Sequence, residues 1–178
     1  MDDNALVAKV INGNVDSFGI LVDRYQKIIY KMVLRMVGDT ETAKDLTQDI
    51  FVKAYEKLDS FNSKFKFFSW IYRIAINETI TWIRKHPHHD QLQNLENLAA
   101  DDHYSDRPDR NIGMLDLGMQ ELSSDYRTLL VMKYYNQLSY EEMAEVHEIS
   151  VEKVRSRLFI AREQLRKILV KKGFLNYE

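Results

Sequence analysis

Apolar residues recur every three or four positions along most of the chain, the spacing of one face of an α-helix. Glycines and a proline punctuate this pattern, because Gly13 and Gly38 end helical stretches and Pro87 stops another. The spacing predicts helices over residues 3–13, 14–38, 40–58 and 67–85, then near 112–122 and 125–135, and finally a helical pair within 139–166. The pattern therefore predicts an all-α protein.

One segment breaks the periodicity. Residues 86–110 are polar, acidic and flanked by proline, which favours a flexible linker over a packed element. We therefore expect two small helical domains, at residues 1–86 and 112–178, joined by an acidic linker at 87–111. A linker of this length spans roughly 25–30 Å on average, so each domain can contact a separate surface.

The helical pair has capping and charge signals of its own. Ser139 and Glu142 form a capping box at the start of its first helix, and Ser150 can cap the second. Residues 139–148 hold four Glu and no Lys or Arg, whereas 151–172 hold eight Lys/Arg and two Glu. This pattern is typical of a helix-turn-helix whose second helix enters the DNA major groove. A solvated helical hairpin explains the charges as well.

Aromatic and basic residues alternate just before the linker. The aromatic residues are Phe61, Phe65, Phe67, Phe68, Trp70, Tyr72 and Trp82. Unpaired bases stack on such rings while cations hold the backbone. The spacing of Phe67, Trp70 and Ile74 favours a place in the core, whereas both interpretations stay open for the loop residues Ser63, Lys64, Phe65 and Lys66.

Composition narrows the function classes. The chain has no cysteine and a net charge of −2, and it lacks an apolar run of the roughly 20 residues that a membrane span needs. We expect a cytoplasmic protein without membrane insertion. Bound DNA would need local positive charge or the help of a second protein. No phosphate-binding glycine loop or paired catalytic carboxylates occur, so we expect no enzyme and no cofactor. His86, His88, His89 and Asp90 are better explained as a chance cluster than as a metal site.

Two stretches carry a family resemblance. YQKIIYKMVLRMVGDTETAKDLTQDIFVKAYEKLDSF and FFSWIYRIAINETITWIRK resemble domain 2 of the extracytoplasmic-function sigma factors, within the sigma-70 family. LSYEEMAEVHEISVEKVRSRLFIAREQLR resembles domain 4. The resemblance covers about residues 18–85 and 114–167.

The resemblance implies a transcription initiation factor. Such a factor binds core RNA polymerase through the β′ clamp and the β flap and directs promoter-specific initiation. Domain 2 opens the −10 element, and domain 4 reads the −35 element as duplex. The family also implies an anti-sigma factor that holds the protein inactive.

The resemblance assigns residues to three surfaces, with no catalytic and no metal-binding residue. The polymerase-binding residues are Asp45, Leu46, Gln48, Asp49 and Phe51. The −10 residues are Ser63, Lys64, Phe65, Lys66, Arg73 and Asn77. The −35 residues are Glu152, Lys153, Arg155, Ser156, Arg157 and Arg162.

Some positions depart from the family pattern. Glu148 stands where the family usually has glycine in the helix-turn-helix, so we expect strain or a changed turn there. Lys153 and Ile160 replace a common threonine and arginine, so the −35 preference cannot be transferred.

Two other functions stay open: a stand-alone DNA-binding regulator, and a helical protein that binds only proteins. The promoters, the inducing signal and the arrangement of the two domains are not determined.

Overall fold

The computed structural model describes residues 2–86 and 110–174, and within these ranges every regular element is a helix. The helices are α1 (Asp3–Ile11), α2 (Asp16–Val37), α3 (Thr40–Glu56), a 3₁₀ turn (Leu58–Ser60), α4 (Phe67–Lys85), α5 (Arg110–Gln120), α6 (Ser124–Leu130), a π-helical turn (Val131–Tyr135), α7 (Tyr140–His147) and α8 (Val151–Lys171). The predicted all-α class is confirmed. None of the helices in the described ranges is long and apolar enough to cross a bilayer.

The first four helices pack into one bundle, in which α2 contacts α1, α3 and α4. Their apolar stripes meet at fully buried residues such as Ile29, Ile50 and Ile71. Gly38 ends α2 in the left-handed conformation, with φ of 75°. The Asp39 side chain then begins α3 by accepting a 2.8 Å hydrogen bond from the Thr42 amide. Gly38 therefore ends one long helix and Asp39 begins the next, so two residues are enough to separate α2 from α3.

The last four helices form a second unit in which α8 packs against α5, α6 and α7. The predicted capping box is present, because Ser139 Oγ accepts from the Glu142 amide and the Glu142 carboxylate accepts from the Ser139 amide. Ser150 caps α8 as expected. Val154, Leu158 and Ala161 on the predicted stripe are buried. The helix expected over 125–135 differs, since it ends at Leu130 and continues as the π-helical turn.

The two halves pack against each other, and their buried residues form a single apolar cluster. A buried ion pair of 2.7 Å joins Arg35 in α2 to Asp116 in α5. Arg127 in α6 donates to the Met36 carbonyl in the last turn of α2 at 2.9 Å. Asn136 donates to the Ile28 carbonyl at 3.1 Å. Most of the predicted linker, including His88, His89 and Asp90, lies outside the described residues. Its last two residues, Arg110 and Asn111, instead begin α5.

Candidate nucleic-acid and polymerase interfaces

Helix α8 presents a polar and basic face to solvent. Burial of Val154 and Leu158 on the core side directs the intervening positions outward. All the predicted −35 residues are exposed, namely Glu152, Lys153, Arg155, Ser156, Arg157 and Arg162. These side chains therefore reach solvent, and their contact with DNA stays a prediction.

The Tyr140 ring orients one of these side chains. The Arg155 guanidinium lies 5.3 Å from the centroid of the Tyr140 ring, and the Lys133 ammonium lies 4.4 Å from the same ring. The Tyr140 ring thus holds Arg155, near the start of α8, and Lys133, in the π-helical turn, without fully burying either cation. The backbone amide of Glu152 and the Ser150 hydroxyl lower the pKa of the Glu152 carboxyl, so this group is ionised at neutral pH.

The loop before α4 displays an exposed aromatic ring. Asn62 shapes the loop by accepting from the Lys64 amide through Oδ1 and from the Phe65 amide through its carbonyl, both at 3.0 Å. Phe61 anchors the loop, with its ring centroid 5.5 Å from that of Trp70. Phe65 is 51% exposed, whereas Phe67 is 1% exposed. The loop thus separates a core aromatic from one that is available for stacking.

The second half of the molecule contacts two of the predicted −10 residues. The Arg73 guanidinium donates through Nε to the Val146 carbonyl at 3.0 Å and through Nη2 to the Glu145 carbonyl at 2.9 Å. Its Nη1 pairs with the Glu148 carboxylate. The Lys66 amide donates to Glu145 Oε1 at 3.0 Å. Ser63, Lys64, Phe65 and Asn77 stay exposed.

The predicted polymerase-binding residues divide between surface and core. Asp45, Gln48 and Asp49 are exposed on one face of α3, as their spacing predicts. Leu46 and Phe51 are buried, at 8% and 6% exposure, because they lie on the stripe that packs into the bundle. These two side chains support the α3 surface from beneath and expose little area of their own.

A groove beside this surface was not anticipated. It has a volume of about 1100 Å³ and runs between α2 and α3, with walls that include Gln48, Phe51 and Tyr55. Val52 and Tyr55 are 52% and 42% exposed there. Phe159 on α8 is also exposed, at 60%. An apolar residue in a helical pattern predicts burial, so only packing reveals that these are accessible.

Glu145 and Glu148 were also missed as functional candidates. Their place in an acidic helix indicated only a solvated surface, since the partners lie more than 70 positions away in the sequence. Glu148 adopts the left-handed conformation with φ of 53°. The turn therefore keeps the geometry that glycine favours.

Within 2–86 and 110–174, no three His, Cys, Asp or Glu side chains are grouped so that they could hold a metal ion.

Comparison with known proteins gives consistent matches. The sequence matches sigma-70 region 2 over residues 21–88 and sigma-70 region 4 over residues 112–165. The extracytoplasmic-function RNA polymerase sigma factor SigW of Bacillus subtilis (strain 168) is 35% identical, over 92% of this chain and 94% of SigW. Both halves and the segment between them fall within that match.

Solved structures show a similar fold. CnrH in complex with the cytosolic domain of CnrY aligns with a TM-score of 0.70 and 25% identity, covering 95% of this chain and 97% of CnrH. The sigma factor RpoE from Bartonella quintana, solved with the anti-sigma factor NepR, aligns with a TM-score of 0.63 and 21% identity over 85% of this chain and 96% of RpoE.

Proposed function

The chain belongs to the extracytoplasmic-function sigma factors of bacterial RNA polymerase, and we propose that its two halves divide promoter recognition between them. In this proposal residues 1–86 bind core polymerase and the opened −10 element, residues 87–111 link the halves, and residues 112–178 bind the −35 duplex. The observation that carries the proposal is that both sigma regions occur in order on one chain whose α8 exposes every predicted −35 contact.

The −35 half acts through α8. Its amino-terminal residues enter the major groove, where Glu152 accepts from cytosine and Arg155 or Arg157 donates to guanine. The remaining cations hold phosphates on either side of the groove. A good bidentate base contact contributes about 1–3 kcal/mol of discrimination. Core polymerase supplies further affinity, which a chain of net charge −2 needs.

The −10 half acts through the loop and α4. Phe65 stacks on an unpaired base, while Asn77 contacts a base edge and Lys64, Lys66 and Arg73 hold the strand backbone. These contacts offset the few kcal/mol that unstacking a base costs. The chain itself makes or breaks no covalent bond in this proposal.

Core polymerase docks on the exposed face of α3. Asp45 and Asp49 attract basic side chains of the polymerase clamp, and Gln48 lies at the edge of the groove next to them. An anti-sigma factor is a second protein partner, supported by the similarity to CnrH and RpoE, both solved in complexes with other proteins. The place of action in this proposal is the cytoplasm, where core polymerase works.

Replacing Arg155 and Arg157 by alanine tests the −35 assignment. Holoenzyme carrying both changes should bind promoter duplex more weakly, and the slope of log affinity against log salt should fall by about one for each phosphate that is no longer neutralised. The measurement is a salt series of promoter binding. Lys167→Ala, an exposed cation further along α8, is the matched control. Unchanged binding with the double variant contradicts the assignment.

Replacing Asp45 and Asp49 by asparagine tests the polymerase surface. We expect roughly tenfold weaker binding to purified core polymerase, because two complementary charges are removed, with an unchanged fold because both side chains are exposed. Asp59→Asn removes an exposed acid outside α3 and should bind as the parent chain does. If the parent chain binds promoter DNA tightly without core polymerase, and if adding core polymerase gives no transcription, the chain is a stand-alone regulator instead.

A further inference from the structure

Helix α1 contacts the loop that precedes α4, although the two residues that meet are 59 positions apart in the sequence. The Asn4 side-chain amide donates through Nδ2 to the Ser63 carbonyl at 3.3 Å. Within the loop, oxygen atoms of Asn62 accept from the amides of Lys64 and Phe65. The loop's own hydrogen bonds therefore set its shape, whereas the bond from Asn4 sets its place on the bundle.

Helix α1 is anchored well enough to act as a fixed support. Its inward side chains are buried in the bundle, namely Leu6, Val7 and Val10. Asp3, one position before Asn4, accepts from the Tyr25 hydroxyl of α2 and pairs with Arg24 of the same helix. Apolar packing and these polar contacts both hold the first turn of α1, and with it the Asn4 side chain, against α2.

A second route from α1 reaches the other end of the loop. The Tyr25 ring, whose hydroxyl donates to Asp3, has its centroid 5.8 Å from those of both Phe67 and Phe68 at the start of α4. Helix α1 also packs on the 3₁₀ turn that leads into the loop. The helix thus supports the loop before, at and after Ser63, while the Phe65 ring between these supports is 51% exposed.

We infer that Asn4 is a positioning residue for −10 recognition, which holds the loop so that the Phe65 ring can stack on an unpaired base. The inference rests on the proposed function, in which Phe65 makes that stacking contact. A ring on a loop that must be ordered during binding loses part of its stacking free energy to the entropy of ordering, and a loop held in advance avoids that loss. Asn4 needs no contact with DNA of its own, because it acts through the Ser63 carbonyl.

Hydrogen exchange of the free full-length chain tests the support. Asn4→Ala removes the donor without weakening α1, because alanine is the better helix former. Exchange of the Phe65 amide should become about threefold faster, since one exposed hydrogen bond that favours the ordered loop is lost. Amides of α3 should exchange at the parent rate. Lys9→Ala, an exposed change on the same helix, is the control and should alter neither set of amides.

A double-mutant cycle with Phe65 tests the positioning role itself. Holoenzyme carrying Asn4→Ala should bind a ten-nucleotide −10 single strand about threefold more weakly, by the same loss of support. Phe65→Ala should weaken binding about tenfold, because a base-stacking contact is removed. Where Phe65 is already alanine, adding Asn4→Ala should change binding by less than about 1.5-fold, since no ring is left to position. A residue that only stabilises the fold gives the same threefold loss in both backgrounds.

Three results overturn the inference. They are an unchanged exchange rate of the Phe65 amide in Asn4→Ala, strand binding by that variant equal to the parent's, and losses that multiply independently in the double variant. Failure of the proposed function is a different result: Phe65→Ala holoenzyme then binds the −10 strand as tightly as the parent does, and the stacking role that the inference requires is removed with it.

Discussion

At the scale of single residues, burial decides which polar groups can change the behaviour of the molecule. Arg127 is buried and donates to the Met119, Gln120 and Leu122 carbonyls at the end of α5 as well as to Met36 in α2. Burial lowers the pKa of its guanidinium to about 10, so it is charged at neutral pH. One side chain therefore caps helix ends in both halves.

We expect the stability of the fold to depend on pH through His147. Burial is the main cause that lowers the pKa of its imidazole below 6.5; Arg157 and Arg73 also lower it, and Asp125 opposes them. As the pH falls, the His147 imidazole is therefore protonated in the unfolded chain before it is protonated in the folded chain. The stability that the neutral His147 imidazole contributes is fully present above pH 6.5, its pKa in the unfolded chain. This contribution is lost as the pH falls through the lower pKa of the folded chain.

Replacing His147 by leucine should remove this contribution. Its Nε2 is buried and has no hydrogen-bond partner among residues 2–86 and 110–174, so an apolar side chain also removes an atom that is unsatisfied there. Urea unfolding at about pH 5.5 and about pH 8 is the measurement, and the gain in stability should be larger at the lower pH. An equal gain at both pH values would refute the assignment.

At the scale of elements, helix ends set the geometry of the DNA-binding unit. The α7 capping box and the Ser150 cap of α8 lie on either side of the left-handed Glu148. Both caps satisfy amides that a helix start leaves without partners. They fix the angle at which α8 leaves the turn, and with it the direction of the predicted −35 residues.

Ser139→Ala should lower the free energy of unfolding by about 1 kcal/mol, because the Glu142 amide loses its acceptor. Ser139→Asp retains an acceptor at the same place and should stay close to the parent value. Thermal or urea unfolding of the full chain distinguishes the two. Equal losses in both variants would mean that the cap contributes nothing.

At the scale of the whole molecule, the halves meet through charge as well as apolar packing. The Arg35–Asp116 pair is 7% and 4% exposed, and Tyr135 both donates to Asp116 at 3.0 Å and lies 4.4 Å from the Arg35 guanidinium. Removing one partner leaves a buried charge, which costs about 3–5 kcal/mol. Water can solvate both charges once the halves part, so the interface suits a reversible contact.

Asp116→Asn should therefore separate the halves at a cost that each bundle survives. We expect two unfolding transitions in place of one, together with a larger radius of gyration in solution scattering. Glu41→Gln breaks the exposed Glu41–Lys44 pair and is the control; it should change stability by less than about 0.5 kcal/mol. A single unchanged transition for Asp116→Asn would contradict this account.

The sequence by itself determined most of the elements and the polar outward face of α8. Helix ends followed from Gly38, Asp39, Ser139 and Ser150, whose effects act within a few residues, and the exposed face of α8 followed from its apolar stripe. Tertiary structure decided the rest. The burial of Leu46 and Phe51, the groove beside Tyr55 and the contact of Arg73 with Glu148 join residues distant in sequence or depend on what packs against them. Periodicity indicates which way a side chain points, but only packing determines which group it meets.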